Sequence, residues 1–318
     1  MSDQRLLATC RIKVMLNLLR RPGRLPIGVL NIAHRGARAY APENTLAAFQ
    51  KAKNFGCQMF EMDVRMSKDG ELVVHHDEQL TRCTDVKAKF PDRSTYYVQD
   101  FTYEELSILD AGSWYIEQLS LLGPQRQEFL QTLTDEELAR FVSPQDRQIY
   151  ASGEIRIPTL KQTLEFAGRA DMMVNIELKT QPDLHPELTE TVVKLVEFMG
   201  LDHRILISAF DHEQLVKVRR LTKTIATGIL TSDRIENLND YLQLLDADAY
   251  NPNCYSEGDS MGTQKLNLDE INPVRECGHF VNVWTCNNKD DMRQLIAAGV
   301  TGLISDFPNR VRDVLLES

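Results

Sequence analysis

Several features that would place a protein in a class at once are missing from this 318-residue sequence. There is no Cys-x-x-Cys pair and no His/Cys spacing typical of a zinc site, because the six cysteines are scattered at Cys10, Cys57, Cys83, Cys254, Cys277 and Cys286. Most of them lie in apolar runs, where a free cysteine behaves as a small apolar residue, so we expect a reduced protein of cytoplasmic type. No apolar run reaches the roughly 18 residues that a membrane-spanning helix needs.

An excess of positive charge is also missing, since 36 basic residues face 46 acidic ones and the formal net charge is −10. A general nucleic-acid-binding protein needs a basic surface, so this function class is excluded. An anionic substrate is not excluded, because the local field of a site matters more than the net charge. No linker, repeat array or low-complexity tract interrupts the chain, and we expect one domain over residues 27–318.

Residues 1–26 are the exception and form a basic N-terminal extension. The apolar stretch Val14–Leu19 is too short for a signal peptide, and no small-residue cleavage site follows it. A basic helix that contacts anionic lipid at the membrane surface is one interpretation. A helix packed on the bottom of the domain, or a frayed extension, is the other, since the apolar residues do not make one clean face. The basic residues are Arg5, Arg11, Lys13, Arg20, Arg21 and Arg24.

Beyond this extension, apolar strand patterns alternate with helical patterns. Asn44 is the predicted N-cap of the first helix. Eight such strand–helix units in one chain of this size predict an α/β protein with the (β/α)8 fold, a TIM barrel. The predicted strands span residues 29–33, 56–64, 172–179, 204–208, 224–230, 247–250, 280–284 and 302–306.

The alternation is interrupted once, after the second strand. The turn at Asp69 and Gly70 predicts a β-hairpin whose second strand, 71–77, runs antiparallel to the strand before it. Residues 78–157 then read as a polar insertion with a few short helices, placed as a cap over one face of the barrel. Within it, Trp114 and Tyr115 are compatible with a local core or with a wall of the substrate site.

Carboxylates collect at the predicted strand ends. Glu61 and Asp63 share one face of the second strand, because side chains alternate along a strand. Their apolar neighbours indicate burial, and buried carboxylates must be paired or bound to a cation. Glu177 is a third inward carboxylate at the end of another strand. Three carboxylates without a thiolate favour a hard cation, and we expect one divalent ion, Mg²⁺ or Ca²⁺.

Cations and histidines lie beside these carboxylates. His34 and Arg35 end the first strand, and in parallel α/β folds the active-site residues lie at this end of the strands. The positive charges of Arg35 and Lys179 indicate a phosphate ligand. The hairpin brings either His75 or His76 close to the carboxylates, but not both, because adjacent strand residues point in opposite directions. Two histidines near a metal and a phosphate suggest a general acid and a general base for phosphoester cleavage.

The chain resembles the glycerophosphodiester phosphodiesterases from about Asn31 to Pro308. The motifs that carry the resemblance are Ala33-His34-Arg35-Gly36, Pro42-Glu43-Asn44-Thr45, Glu61-Met62-Asp63-Val64, Val73-Val74-His75-His76-Asp77, Ile176-Glu177-Leu178-Lys179 and Val283-Trp284-Thr285. The resemblance implies a TIM barrel with an insertion after the second strand. It also implies metal-dependent hydrolysis of a glycerophosphodiester to an alcohol and sn-glycerol 3-phosphate.

The resemblance further implies the roles of individual residues. His34 and His76 would be the acid and base, which resolves the choice that the hairpin leaves open and gives His75 no role. The implied metal ligands are Glu61, Asp63 and Glu177, and the implied substrate- and phosphate-binding residues are Arg35, Lys179 and Trp284.

Two other enzyme classes stay in view. A lysophospholipase D or sphingomyelinase D-like barrel would share the metal and the histidines, but its lipid substrate would need an apolar groove or membrane contact. An enolase-like or isomerase barrel with Mg²⁺ would use three carboxylates but would not need Arg35 beside His34. A non-catalytic binding protein on this fold would be expected to have lost a histidine or a carboxylate. The sequence leaves the head-group alcohol and the oligomeric state open.

Overall fold

The structure, a computed structural model, describes residues 28–180, 184–256 and 265–317. The prediction of a membrane-contacting or packed helix in residues 1–26 falls outside these residues. Eight parallel strands close into a barrel, and each lies where the sequence predicts it, to within three residues at either end. They are β1 (Leu30–Ala33), β2 (Met59–Met66), β4 (Met173–Leu178), β5 (Ile205–Ala209), β6 (Ala226–Thr231), β7 (Ala249–Pro252), β10 (Phe280–Val283) and β11 (Gly302–Ser305).

The barrel closes because β1 pairs with strands from both ends of the chain. Ile32 pairs with Met59 of β2 on one side and with Ile304 of β11 on the other. One face of every barrel strand points into the barrel, where each strand contributes one or two apolar residues to a buried inner cluster. The opposite faces pack against the surrounding helices, which is why apolar residues predominate in the strand sequences.

A helix follows each barrel strand, after the insertion in the case of β2 and after a small hairpin in the case of β7. The first helix begins after Thr45, not Asn44, because the Thr45 side chain accepts the Ala48 amide; the predicted N-cap is therefore wrong by one residue. The small hairpin pairs β8 (Tyr255–Ser256) with β9 (Lys265–Leu266). The helices are Leu46–Asn54, Leu160–Ala170, Leu188–Phe198, His212–Leu221, Leu238–Leu244, Ile271–Glu276, Lys289–Ala297 and Pro308–Glu317.

The predicted hairpin and insertion are present after β2. Strand β3 (Leu72–Val74) runs antiparallel to β2, with Val74 opposite Val64. Trp114 and Tyr115 are buried in the main core cluster, so they do not form a wall of the substrate site. The insertion contains short α-helices over Val86–Lys89, Tyr103–Ser107, Ser113–Ser120, Asp135–Phe141 and Pro144–Tyr150, with 3-10 turns between them.

The insertion is tied to the first and last helices of the barrel. Lys51 Nζ in the first helix donates to the Phe141 carbonyl at 2.9 Å. Arg310 in the last helix donates to Glu137 Oε2 at 2.6 Å and to the Thr132 carbonyl at 2.7 Å. These contacts fix the insertion on one side of the barrel. Within the described ranges, every helix is too short or too polar to cross a bilayer.

Candidate active site

Three carboxylates meet inside the barrel near the C-terminal ends of two neighbouring strands. Strands β2 and β4 pair in parallel with Asp63 opposite Glu177, and Glu61 lies one inward position earlier on β2. One oxygen from each of Glu61, Asp63 and Glu177 lies within 4.8 Å of the others. The even spacing of inward residues along the two paired strands produces this cluster, as the sequence pattern predicts.

The electrostatics of the cluster call for a cation. Burial, followed by the charges of Asp63 and Glu177, holds the pKa of Glu61 well above its ordinary value. The pKa of Asp63 is low although burial opposes this, because Lys179 stabilises its charged form. Glu61 Oε1 is buried and accepts no hydrogen bond from the described residues. An orphaned carboxylate oxygen among three converging oxygen ligands fits a hard divalent cation.

Two basic side chains flank the carboxylates. Lys179, directly after β4, forms an ion pair with Glu177, and its Nζ lies 3.2 Å from Asp63 Oδ1. Arg35 lies on the other side, with its Nε 3.5 Å from Asp63 Oδ2 and its Nη1 donating to Glu43 at 3.0 Å. Both predicted phosphate-binding cations therefore reach the cluster.

The backbone after β1 adopts a tight turn that aims Arg35 at the cluster. Arg35 has a φ of 53°, a left-handed conformation that is uncommon for an arginine, and its amide donates to Glu61 Oε2 at 2.8 Å. Gly36 follows with a φ of 78°. A Cβ atom on Gly36 would lie 2.6 Å from the Ala48 Cβ, so only glycine lets the turn approach the first helix this closely.

His34 is oriented by an aspartate from the opposite end of the chain. Its Nδ1 lies 2.7 Å from Asp306 Oδ1, and its Nε2 faces the cluster, 3.9 Å from Glu61 Oε2. Asp306 is buried, forms an ion pair with Arg38 and accepts a hydrogen bond from Asn287 Nδ2 at 2.7 Å. Burial and the charge of Arg38 lower the pKa of His34 to about 4, so this imidazole is neutral at pH 7.

His76 has a similar arrangement on the other chain segment. Its Nδ1 lies 2.6 Å from Asp77 Oδ1, and its carbonyl accepts a hydrogen bond from Arg65 Nε at 2.9 Å. Burial lowers its pKa, and the charge of Asp63 and the hydrogen bond to Asp77 oppose that effect. His75 is buried, with its Nε2 3.3 Å from the Gln79 carbonyl; its backbone amide donates to the Asp63 carbonyl at 3.0 Å, but its side chain makes no described hydrogen bond to the three carboxylates. Both histidines lie directly after β3, and their side chains have different hydrogen-bond partners.

Trp284 lies at the end of β10, away from the carboxylates. Its Nε1 donates to the Asn251 carbonyl at 2.8 Å, and its ring packs edge-on against Phe210 with centroids 5.5 Å apart. The next residue, Thr285, places its Oγ1 3.5 Å from His34 Nδ1. Trp284 is therefore on the His34 side of the site. Ser208, another residue at a strand end, is buried and donates to Asn175 at 2.8 Å.

Sequence reasoning missed several residues that hold the site together. Asn44, taken as a helix cap, instead donates through Nδ2 to Asp63 Oδ2 at 2.8 Å. Glu43 is buried among Arg35, Arg38 and Arg82, and these cations keep its pKa well below the ordinary value although burial acts to raise it. The sequence signal for these residues was the polar run Glu43-Asn44-Thr45, which the fold buries. Buried charged groups have to be paired, so such a run indicates partners elsewhere in the chain.

A closed parallel barrel with carboxylates, cations and two histidines at the C-terminal strand ends belongs to the TIM-barrel enzymes. Comparison with known protein families then shows to which family of TIM-barrel enzymes the chain belongs. The sequence model of the glycerophosphoryl diester phosphodiesterase family matches residues 34–310, so the chain belongs to this family and is a phosphoric diester hydrolase.

Individual relatives agree with this assignment over nearly their whole length. A glycerophosphodiester phosphodiesterase from Caldanaerobacter subterraneus is 31% identical over 281 residues, which are 88% of this chain and 94% of the relative. A Silicibacter pomeroyi structure, a candidate glycerophosphoryl diester phosphodiesterase, superposes with a TM-score of 0.74 at 25% identity, covering 96% of this chain and 97% of its own. An Oleispira antarctica phosphodiesterase, solved in complex with the product sn-glycerol-3-phosphate, gives 0.69 at 26% identity, covering 92% and 98%.

Proposed function

We propose that this enzyme hydrolyses a glycerophosphodiester to an alcohol and sn-glycerol 3-phosphate, using one divalent cation and the two histidines His34 and His76. The observation that carries the proposal is the pair of His–Asp contacts on two sides of one carboxylate cluster. The product bound in the Oleispira phosphodiesterase supports the choice of substrate class.

Glu61, Asp63 and Glu177 would hold the cation, which when bound supplies positive charge against the phosphate. Arg35 and Lys179 would bind phosphate oxygens from two sides. Both are nearly buried beside the cluster, where a guanidinium and an ammonium attract an anion more strongly than at an exposed surface. Trp284 would line the substrate site next to His34.

His34 would be the base of the pair. It is neutral at pH 7, and when its Nδ1 donates to Asp306, Nε2 is left free to accept a proton on the cluster side. It would take the proton from the attacking oxygen, which is either water or the glycerol 2-hydroxyl; in the second case a cyclic phosphate forms, and water then opens it to sn-glycerol 3-phosphate. His76, whose Nδ1 is paired with Asp77, would protonate the leaving alcohol.

A product assay across choline, ethanolamine, inositol and glycerol diesters, with lysolipids included, tests this function. Release of sn-glycerol 3-phosphate from the small diesters is the expected result, and turnover of lysolipids alone would favour the lysophospholipase D alternative. Excess chelator should abolish turnover, and Mg²⁺ or Ca²⁺ should restore it. Full activity in chelator would contradict the need for a cation.

Three histidine variants test the acid–base assignment. His34→Ala and His76→Ala should each lower kcat by a factor on the order of 10² or more. The double variant should fall short of the product of the two losses, because residues acting as a unit are not additive. His75→Ala is the matched control, since His75 lies next to His76 in the sequence but its side chain contacts the Gln79 carbonyl and not the carboxylate cluster. A large loss in His75→Ala with little loss in His76→Ala would overturn the assignment.

A further inference from the structure

Arg82 lies in the insertion, and all three nitrogen atoms of its guanidinium group donate hydrogen bonds to polar groups around the site. Its Nε donates to Asp77 Oδ2 at 2.5 Å, and its Nη2 donates to Asp77 Oδ1 at 3.0 Å and to Glu43 Oε1 at 2.6 Å. Its Nη1 donates to Glu43 Oε2 at 3.0 Å and to Gln127 Oε1 at 3.0 Å. The guanidinium thus bridges two carboxylates, each through both of its oxygens.

Each of these two carboxylates contacts a residue of the proposed chemistry. Asp77 Oδ1 lies 2.6 Å from His76 Nδ1. Glu43 Oε1 accepts a hydrogen bond from Arg35 Nη1 at 3.0 Å. A continuous chain of charged groups therefore runs from Arg35 through Glu43, Arg82 and Asp77 to His76.

We propose that Arg82 is a positioning residue that aligns the acid–base histidine His76 with the phosphate-binding Arg35 through their two carboxylate partners. This inference rests on the proposed function, because it assigns to Arg82 the geometry of groups that act there. Arg82 itself does not touch the carboxylate cluster in the structure. Arg82 would fix the distance between His76, the proposed proton donor, and Arg35, the proposed phosphate-binding residue, which come from different segments of the chain.

The shape of the guanidinium explains why arginine fits this position. Its donors lie in one plane with fixed directions, so one side chain can hold two carboxylates at a defined separation. A lysine ammonium carries the same charge but acts as a compact point with rotating donors. Gln127, from a later part of the insertion, accepts one further hydrogen bond. The position of the insertion is therefore coupled to the geometry of the site.

Steady-state kinetics of the full-length enzyme test the proposal. Arg82→Gln and Arg82→Lys should each lower kcat roughly tenfold or more and raise KM, because His76 and Arg35 both lose their alignment. Arg82→Lys, which keeps the charge, should restore thermal stability more fully than kcat. Guanidinium ion at millimolar concentration should recover part of kcat in Arg82→Ala, whose vacated space is partly open to solvent.

Substitutions of the two carboxylates test the contact of Arg82 toward His76 and its contact toward Arg35 separately. Asp77→Asn should act mainly on kcat and Glu43→Gln mainly on KM. The double variant of Arg82→Gln with Asp77→Asn should be less than additive in kcat, because both changes break the same contact. Arg93→Gln is the matched control: Arg93 is also in the insertion and pairs with Glu105, which is not one of the charged groups that connect Arg35 to His76. It should leave kcat and KM unchanged.

The outcomes distinguish this inference from the proposed function. Wild-type kinetics of Arg82→Gln together with an impaired His76→Ala would remove the role of Arg82 and leave the function standing. Full activity of His76→Ala would remove the acid–base role on which this inference rests, and a wild-type enzyme that releases no sn-glycerol 3-phosphate from any diester would remove the proposed function itself. If Arg82→Gln does not fold, unchanged kcat and KM in Arg82→Lys would overturn the proposal. A lack of guanidinium rescue in a folded Arg82→Ala would also count against it.

Discussion

Replacing Asp306 by asparagine is the most informative single perturbation of the site. The amide keeps the size of the side chain but can present an N–H group where a carboxylate oxygen accepts the His34 Nδ1 proton. His34 would then favour the tautomer with its proton on Nε2, facing Glu61, and could not accept a proton there. A wrong tautomer in a comparable His–Asp pair costs on the order of 10⁴ in kcat, so we expect a loss of about 10²–10⁴ in kcat.

The structure also sets the expected loss of stability. Asp306 is buried and is the ion-pair partner of Arg38, and breaking a buried pair costs about 3–5 kcal/mol. Arg38 keeps a second carboxylate, Glu43, 3.7 Å from its Nη1, so the lower end, about 3 kcal/mol, is expected. This corresponds to a fall in Tm of roughly 6–12 °C.

Steady-state kinetics measure the loss of kcat, thermal unfolding measures the loss of stability, and imidazole ¹⁵N chemical shifts report which nitrogen of His34 carries the proton. Asp313→Asn is the matched control, because Asp313 pairs with Lys289 at 2.9 Å on a partly exposed surface. It should cost no more than about 1 kcal/mol and leave kcat unchanged. The reasoning would be refuted if Asp306→Asn stayed folded and turned over within a few-fold of the wild type, or if His34 kept its proton on Nδ1.

Three further predictions follow from the pKa shifts, the cation site and the turn after β1. Burial lowers the pKa values of His34 and His75 to about 4, so as the pH falls the unfolded chain binds protons before the folded one does. The free energy of unfolding should therefore fall between pH 6.5 and pH 4, by about 3 kcal/mol per histidine, and urea titrations at several pH values measure this loss. Mg²⁺ or Ca²⁺ at about 100 times its Kd should stabilise the wild type by about 2.7 kcal/mol, and a Tm rise that persists in Glu177→Gln would contradict the assigned ligands. Gly36→Ala should cost at least about 2 kcal/mol, against about 1 kcal/mol for Gly70→Ala, which also has a positive φ but no atom within 4 Å of the new Cβ; equal losses would show that the close approach is unimportant.

Local sequence pattern was enough for the architecture and for the core of the site. Strand and helix periodicities are properties of short segments, so the eight strands could be placed and counted without knowing which strands pair. Alternation along β2 also put Glu61 and Asp63 on one face, and the barrel rule brought Glu177 to the same edge. The residue types at the strand ends then indicated a cation, a phosphate and acid–base chemistry.

The contacts that orient these groups required the folded chain. His34 and Asp306 are 272 positions apart, and Glu43 and Arg82 are 39 apart, so no local pattern links them. Asn44 looked like a helix cap because asparagine favours that position, yet Thr45 caps the helix and Asn44 turns to Asp63. The sequence alone determined the barrel and the chemical types of its site residues, because periodicity and burial act locally. Only barrel closure and the docking of the insertion decided that Asp306 faces His34 and that Arg82 meets Glu43, because these contacts join segments whose separation in the chain carries no information about their distance in space.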